Sequence, residues 1–386
     1  MAKITKIEAS QILDSRSKPT IEVKIHTSDG MMAIDSVPSG ISISISEATI
    51  VSPQTAIENV NKIIAPKLLG MDPVEQENID NLMIDLDGTE NKSRLGANAI
   101  LGVSLAVSKV AALNTNIPLY QYLNNLLNKL SGRETSFNVP MPMMVMIEGG
   151  KHALNNIAIQ EFLCLTSLEN GQKIWYRLKD VLLRKGLELR LGFEGGFSPK
   201  IKYDEDAIEL IMEAIRLEGL EIGKDVKLGL DIAANQCEIS KDDILELFER
   251  YPLYLLEDPI PEDKWDHWAE LKVALEQTGK EHLLVGDDLF VTNEKKLEHG
   301  INNLAADAIV IKLNQTGTLT ETLRVINKAK QANLVHILSH RSGETMDTYI
   351  ADLAIATSAK YIKAGAPFAS ERMIKYNRIK EIEHEL

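Results

Sequence analysis

The chain has 386 residues, with 42 Lys and Arg against 56 Asp and Glu, a formal net charge of −14 and a pI near 5.2. That length suggests two or three domains, and the excess negative charge disfavours non-specific binding to nucleic-acid phosphates or an anionic lipid surface. With 44% hydrophobic and 25% charged residues and no low-complexity or single-charge block, the composition is that of a globular chain throughout.

Ile4 and Ile7, then Ile21, Val23 and Ile25 alternating with polar residues ahead of Asp29-Gly30, predict strands, a hairpin and a small antiparallel sheet. From Thr55 the period changes: Ile57, Val60, Ile64 and Leu68 recur at helical spacing, and Gly70 stops the run. Asp72, Pro73 and Glu75 read as the N-cap, first-turn proline and capping acid of the next helix. A third helix, from Gly96 to about Asn114, is rich in Ala, Leu and Val and should pack on the sheet, giving an α+β domain over 1–128. The polar segment 130–138 reads as a linker to a second domain at 139–386.

In that second part, apolar runs end on polar residues at a regular interval. VKLGL ends at Asp231, LYLL at Glu257, HLLVG at Asp287, AIVI at Lys312, LVHILS at His340 and YI at Lys363, with intervals of 26, 30, 25, 28 and 23 residues. One βα unit needs about this much chain, so each residue falls at the C-terminal end of a successive parallel strand. In a (β/α)8 barrel those ends share the face where active sites form; a doubly wound sheet is the alternative. A single acid after a strand is as readily a solvated loop charge, but six in register are not.

Asp231, Glu257 and Asp287 offer only oxygen ligands, which suits a hard cation such as Mg2+ better than zinc; without a cation, three such carboxylates would repel one another. Lys312, then His340, Arg341 and Ser342, then Lys363 follow on the next strands, and cations facing a carboxylate-bound metal imply an anionic substrate, with Arg341 offering a bidentate fork to phosphate or carboxylate. Burial and neighbouring positive charge would favour a neutral Lys312, able to take a proton. Upstream, Gln160 and Glu161 follow the apolar run IAI, and Glu194 lies in Gly192-Phe193-Glu194-Gly195-Gly196; either glutamate could act as an acid, although a Glu beside Gly-Gly is more often a turn residue.

Cys164 and Cys237 lie 73 residues apart with no Cys-x-x-Cys or Cys/His cluster, so neither a disulfide framework nor a zinc site is expected, and both read as buried free thiols. The longest apolar stretch, 99–107, falls well short of the roughly 20 residues of a bilayer span, and the N-terminal segment MAKITKIEAS has no apolar signal core. A cytoplasmic location is expected, with no membrane span and no nucleic-acid partner.

Ordered motifs run through nearly the whole chain: ILDSR (12–16), VPSG (37–40), NLMIDLDGT (81–89), LGANAILGVSLAV (95–107), GG-x-HA (149–153), QEF (160–162), EGGF (194–197), LLEDP (255–259), VGDDLFVTN (285–293), NQTGTLTET (314–322) and SHRSGET (339–345). In this series the sequence resembles the enolase (phosphopyruvate hydratase) family. The resemblance implies an α/β fold, an enolase-like (β/α)8-type barrel with an N-terminal α+β capping domain. It also implies a homodimeric lyase of glycolysis that reversibly dehydrates a small phosphorylated acid, 2-phosphoglycerate, to phosphoenolpyruvate.

Carried onto matching positions, the resemblance implies that Asp231, Glu257 and Asp287 hold one Mg2+, while Ser42 of a mobile loop and the substrate phosphate help to bind a second. Lys312 would abstract the proton beside the carboxylate, with Lys363 stabilising the charge that develops. Glu194, with Glu161 beside it, would protonate the departing hydroxyl. His152, Gln160 and His340 would line the pocket, and Arg341 and Ser342 would hold the phosphate.

Departures from the family pattern cluster at the mouth of the site. The loop reads Ser39-Gly40-Ile41-Ser42-Ile43-Ser44 in place of S-G-A-S-T-G, and the stretch from Ala48 to Thr55 is short. Val145, Glu148 and Lys151 interrupt N-x-x-N-G-G-S-H, Phe193 replaces the acid of G-D-E-G-G, and Asn235-Gln236 replaces S-E. Altered residues around unchanged ones point to reduced activity or altered substrate choice. The same enolate chemistry on another phosphorylated or phosphonylated acid, and a non-catalytic binding protein on this fold, are the alternative functions.

Overall fold

The computed structural model describes residues 2–40 and 47–386. Strands β1 (Ile4–Leu13), β2 (Pro19–Thr27) and β3 (Met32–Ser36) form an antiparallel sheet in that order. Alternation sets its faces: Ile21, Val23 and Ile25 are fully buried, and Gly30, at φ 87°, makes the β2–β3 turn.

Helices α1 (Pro53–Asn59) and α2 (Ala65–Leu68), joined by a π-helical turn over Val60–Ile64, lead to α3 (Gln76–Asp87), α4 (Ala97–Thr115) and α5 (Leu119–Ser131). Asp72 does not cap α3: its carboxylate accepts the Val74 N–H and its carbonyl the Glu75 N–H, closing a turn before the helix begins at Gln76. Helix α4 lies on β2 and β3 between α3 and α5. Gly102 permits that approach, since a Cβ there would stand 2.7 Å from Val23 Cγ2. Among the described residues α4 is the one helix long and apolar enough to cross a membrane, and here it is the buried centre of the first layer.

Eight strands then close a barrel: β4 (Met141–Glu148), β5 (Glu161–Leu165), β6 (Lys227–Asp231), β7 (Leu253–Glu257), β8 (Leu283–Gly286), β9 (Ala308–Ile311), β10 (Val335–Ser339) and β11 (Tyr361–Lys363), with β11 returning to β4. The barrel departs from uniform βα repetition at one place. The connection 149–160 holds only a 3-10 turn and no crossover helix, so β5 runs antiparallel to both β4 and β6. Two helices, α6 (Leu168–Arg184) and α7 (Asp204–Leu217), then precede β6; from β6 to β11 the neighbouring strands are parallel.

Helices α8 (Lys241–Arg250), α9 (Trp265–Gln277), α10 (Glu294–Asn302), α11 (Leu313–Thr316), α12 (Leu319–Gln331), α13 (Tyr349–Ala356) and α14 (Ser370–Glu385) complete the chain. Met143, Val145, Leu163, Leu255, Val285, Val310 and Ile337 fill the barrel interior, while a larger apolar layer seals strands against helices. Cys164 is buried in that layer, but Cys237, on the connection after β6, is partly exposed rather than buried.

Candidate active site

The barrel's C-terminal rim gathers the polar strand ends. Asp231, Glu257 and Lys363 are the last residues of β6, β7 and β11, while Asp287, Lys312 and His340 directly follow β8, β9 and β10. One pocket is lined by Asp231, Asp287, Lys312, His340, Arg341, Ser342 and Lys363 together with His152, Gln160, Glu161 and Glu194. Glu257 lies fully buried beneath it. Ser42 lies outside the described residues.

Lys363 is the centre of charge. Its ammonium lies 2.9 Å from carboxylate oxygens of Asp231, Glu257 and Glu161. Burial disfavours its charge, but Asp231, Glu161 and Glu257 outweigh that and hold it well above the usual lysine range. Glu257 shows the converse: burial, then repulsion from Asp231, push its carboxyl well above the ordinary range despite Lys363, with Asp287 adding to the effect. Asp287 is paired with Lys312 instead.

The three carboxylates therefore lie at one end of the barrel, Asp231 and Asp287 lining the pocket and Glu257 beneath it, but do not form one tight coordination sphere. Asp231 and Glu257 converge on Lys363, whereas a carboxylate oxygen of Asp287 lies within 4.8 Å of oxygens from Asp258 and Asp288. Burial and the neighbouring carboxylates both disfavour charge on Glu257, a strain that a divalent cation would relieve, and an all-oxygen donor set suits a hard one, so these residues fit Mg2+.

Lys312 differs from the neutral amine expected of it. Burial favours the uncharged form, and Arg341 and Lys363 add to that, but the Asp287 carboxylate against the ammonium outweighs them and holds Lys312 above the usual range.

Across the pocket lies an acid cluster. His152 Nδ1 stands 3.1 Å from Glu161 and 3.5 Å from Glu194, and His340 Nε2 stands 2.9 Å from Glu194. The two histidines are set oppositely. Burial opposes charge on His152, but Glu194 and Glu161 raise it to about 9; burial lowers His340 to about 4. Glu194, despite burial, is held well below the carboxylate range, first by His340 and then by His152.

At the Arg341 end of the pocket the guanidinium is buried, donating to Asn314 Oδ1 at 2.9 Å and to Glu47 Oε2 at 3.3 Å. Gln315 links this end to the carboxylates, 3.4 Å from both Glu47 and Asp287. Gln160 donates to Asp231 at 3.2 Å.

Several residues escaped the sequence reading. Asp258, in LLEDP, sits at φ 41° so that its carboxylate accepts the N–H groups of Asp287 at 3.0 Å and Asp288 at 2.7 Å. Its place directly after Glu257 was the available signal. Gln315 and Asn314 open NQTGT, and Glu47 follows the altered loop. Arg372, on the last helix, contacts His340 and no local pattern announces it.

Fold and pocket together define an α/β-barrel enzyme of the lyase type, with a rim suited to metal-dependent enolate chemistry. Residues 4–123 match the family model for the enolase N-terminal domain, and residues 136–247 and 239–386 match that for the enolase C-terminal TIM barrel domain. The chain belongs to the enolase family.

Proposed function

We propose that the protein catalyses the reversible, Mg2+-dependent dehydration of 2-phosphoglycerate to phosphoenolpyruvate. The observation that carries this reading is that a single pocket holds a lysine, Lys312, and a buried acid cluster, Glu194 with Glu161, as removal of a proton and of a hydroxyl from adjacent carbons requires.

Asp231, Glu257 and Asp287 would hold the cation, which when bound supplies charge stabilisation at the substrate carboxylate. With Asp287 withdrawn from it, Lys312 is left with burial, Arg341 and Lys363, all of which favour the neutral amine that accepts the proton. Lys363 faces the same carboxylates and stabilises negative charge as it builds. Glu194, between His340 and His152, is held below the carboxylate range by both, so it must first take up a proton; His152, raised to about 9 and 3.5 Å away, supplies one, which Glu194 then delivers to the leaving hydroxyl. Arg341 exchanges Glu47 for the substrate phosphate, and Ser342 adds a hydroxyl beside it.

A second reading, the same chemistry on another phosphorylated or phosphonylated acid, is favoured by Gln160 and Gln236. Both line the pocket, and their buried carboxamide oxygens have no protein partner, so a substrate with a further hydroxyl would satisfy them. The test is ultraviolet absorbance of the enol product from 2-phosphoglycerate and Mg2+. Turnover abolished by Lys312→Ala supports the first reading; an inert wild type that binds Mg2+ and a phosphonate analogue supports the second.

A further inference from the structure

Glu148, the last residue of β4, is fully buried, and the chemistry above makes no use of it. Its Oε1 accepts the Gly196 N–H at 2.6 Å and the Glu194 N–H at 3.2 Å, and its Oε2 accepts the same Glu194 N–H at 3.0 Å. The main chain ties strand and turn again, as Glu148 N–H donates to Phe197 O at 2.8 Å.

Glycine makes this approach possible. A Cβ at Gly192 would run into the Glu148 carboxylate, and one at Gly196 would stand 3.0 Å from Oε1 and 2.9 Å from Val145 Cγ1. The turn that carries Glu194 is therefore shaped around a buried acid. Without the acid, two buried amides lose their acceptor, which native structures rarely tolerate.

We infer that Glu148 is a positioning residue: its carboxylate cradles the Glu194 and Gly196 amides and fixes where the Glu194 carboxyl meets the leaving hydroxyl. The catalytic consequence rests on the proposed function, whereas the cradle does not. A misplaced acid slows loss of the hydroxyl and leaves proton abstraction by Lys312 intact, because Lys312 is held from another strand.

The test uses the full-length protein with 2-phosphoglycerate and Mg2+, comparing wild type with Glu148→Ala and Glu148→Gln. For Glu148→Ala, kcat for dehydration falls by about 10- to 100-fold with KM within about threefold of wild type. Exchange of the substrate's α-proton with D2O continues at the wild-type rate. Glu148→Gln keeps one acceptor oxygen for Gly196 and falls between; if Glu148→Ala does not fold, Glu148→Gln carries the comparison. Backbone hydrogen exchange over 192–197 speeds up in the folded variants while the strands from β7 to β9 stay protected.

Unchanged kcat, or α-proton exchange falling in step with dehydration, overturns the positioning role. A wild type that neither exchanges nor dehydrates overturns the functional reading instead. In that case backbone exchange judges the cradle alone, and unchanged protection of 192–197 overturns it.

Discussion

Arg372 Nη1 lies 2.6 Å from His340 Nδ1. A guanidinium has only donors, so Nδ1 must accept, and the ring proton is placed on Nε2, 2.9 Å from Glu194. The same arginine donates to the carbonyls of Arg341 at 2.8 Å, Ser342 at 2.7 Å and Phe193 at 3.0 Å. One buried side chain from the last helix thus fixes a histidine tautomer and binds the two segments that carry Arg341 and Glu194.

Arg372→Lys keeps the charge but not the fork. It should lower kcat by about 10- to 100-fold through loss of the His340 orientation. It should also destabilise the fold by about 3–5 kcal/mol, because several buried carbonyls lose donors. Steady-state kinetics and urea unfolding check the two parts.

Asp258 holds the Asp287 and Asp288 amides and should act on the proposed metal binding through them. Asp258→Asn leaves one good acceptor where two amides now converge, so Asp287 shifts and Mg2+ affinity should fall by about 10- to 100-fold, with little change in overall stability. Calorimetric titration with Mg2+ measures it.

Lys363 balances Asp231, Glu257 and Glu161 when no cation is bound. Lys363→Met should destabilise the metal-free protein by about 3–5 kcal/mol, since it leaves buried charge unpaired, and Mg2+ should recover most of that loss. Melting temperatures with EDTA and with Mg2+ show this as a metal-dependent shift larger in the variant than in wild type.

His336, on β10 away from the rim carboxylates, gives a pH dependence of stability. It is buried, with Nε2 3.2 Å from Thr357 Oγ1, and burial lowers its pKa from 6.5 to about 3. Below 6.5 the unfolded chain takes up a proton that the folded chain refuses. The stabilising effect of the neutral ring is complete above 6.5 and is lost as pH falls towards 3. His336→Phe should flatten the acid limb of urea-derived stability against pH; an unchanged slope contradicts the assignment.

The rim was legible because period and charge coincide: Asp231, Glu257, Asp287, Lys312, His340 and Lys363 each close an apolar run at βα spacing. The start of the barrel was less so, because β4 and β5 pair antiparallel and two helices intervene before β6, breaking that spacing. Helix α5 runs into the polar segment read as a linker, whose first two residues it contains. Lys312 was expected neutral from its cationic neighbours; sequence order does not show that Asp287 turns to it rather than to Asp231 and Glu257. Arg372 and Glu148 are placed by tertiary packing alone, 32 and 46 residues in sequence from the groups they hold.

In the proposed reaction Lys312, set among Asp287, Arg341 and Lys363, takes the proton beside the substrate carboxylate. Deuterium entering the α-position of 2-phosphoglycerate, followed by NMR in D2O with Mg2+, tests it most directly. Wild type should incorporate deuterium, and Lys312→Ala, with its fold and Mg2+ binding intact, should incorporate none. Incorporation that persists in Lys312→Ala would contradict it.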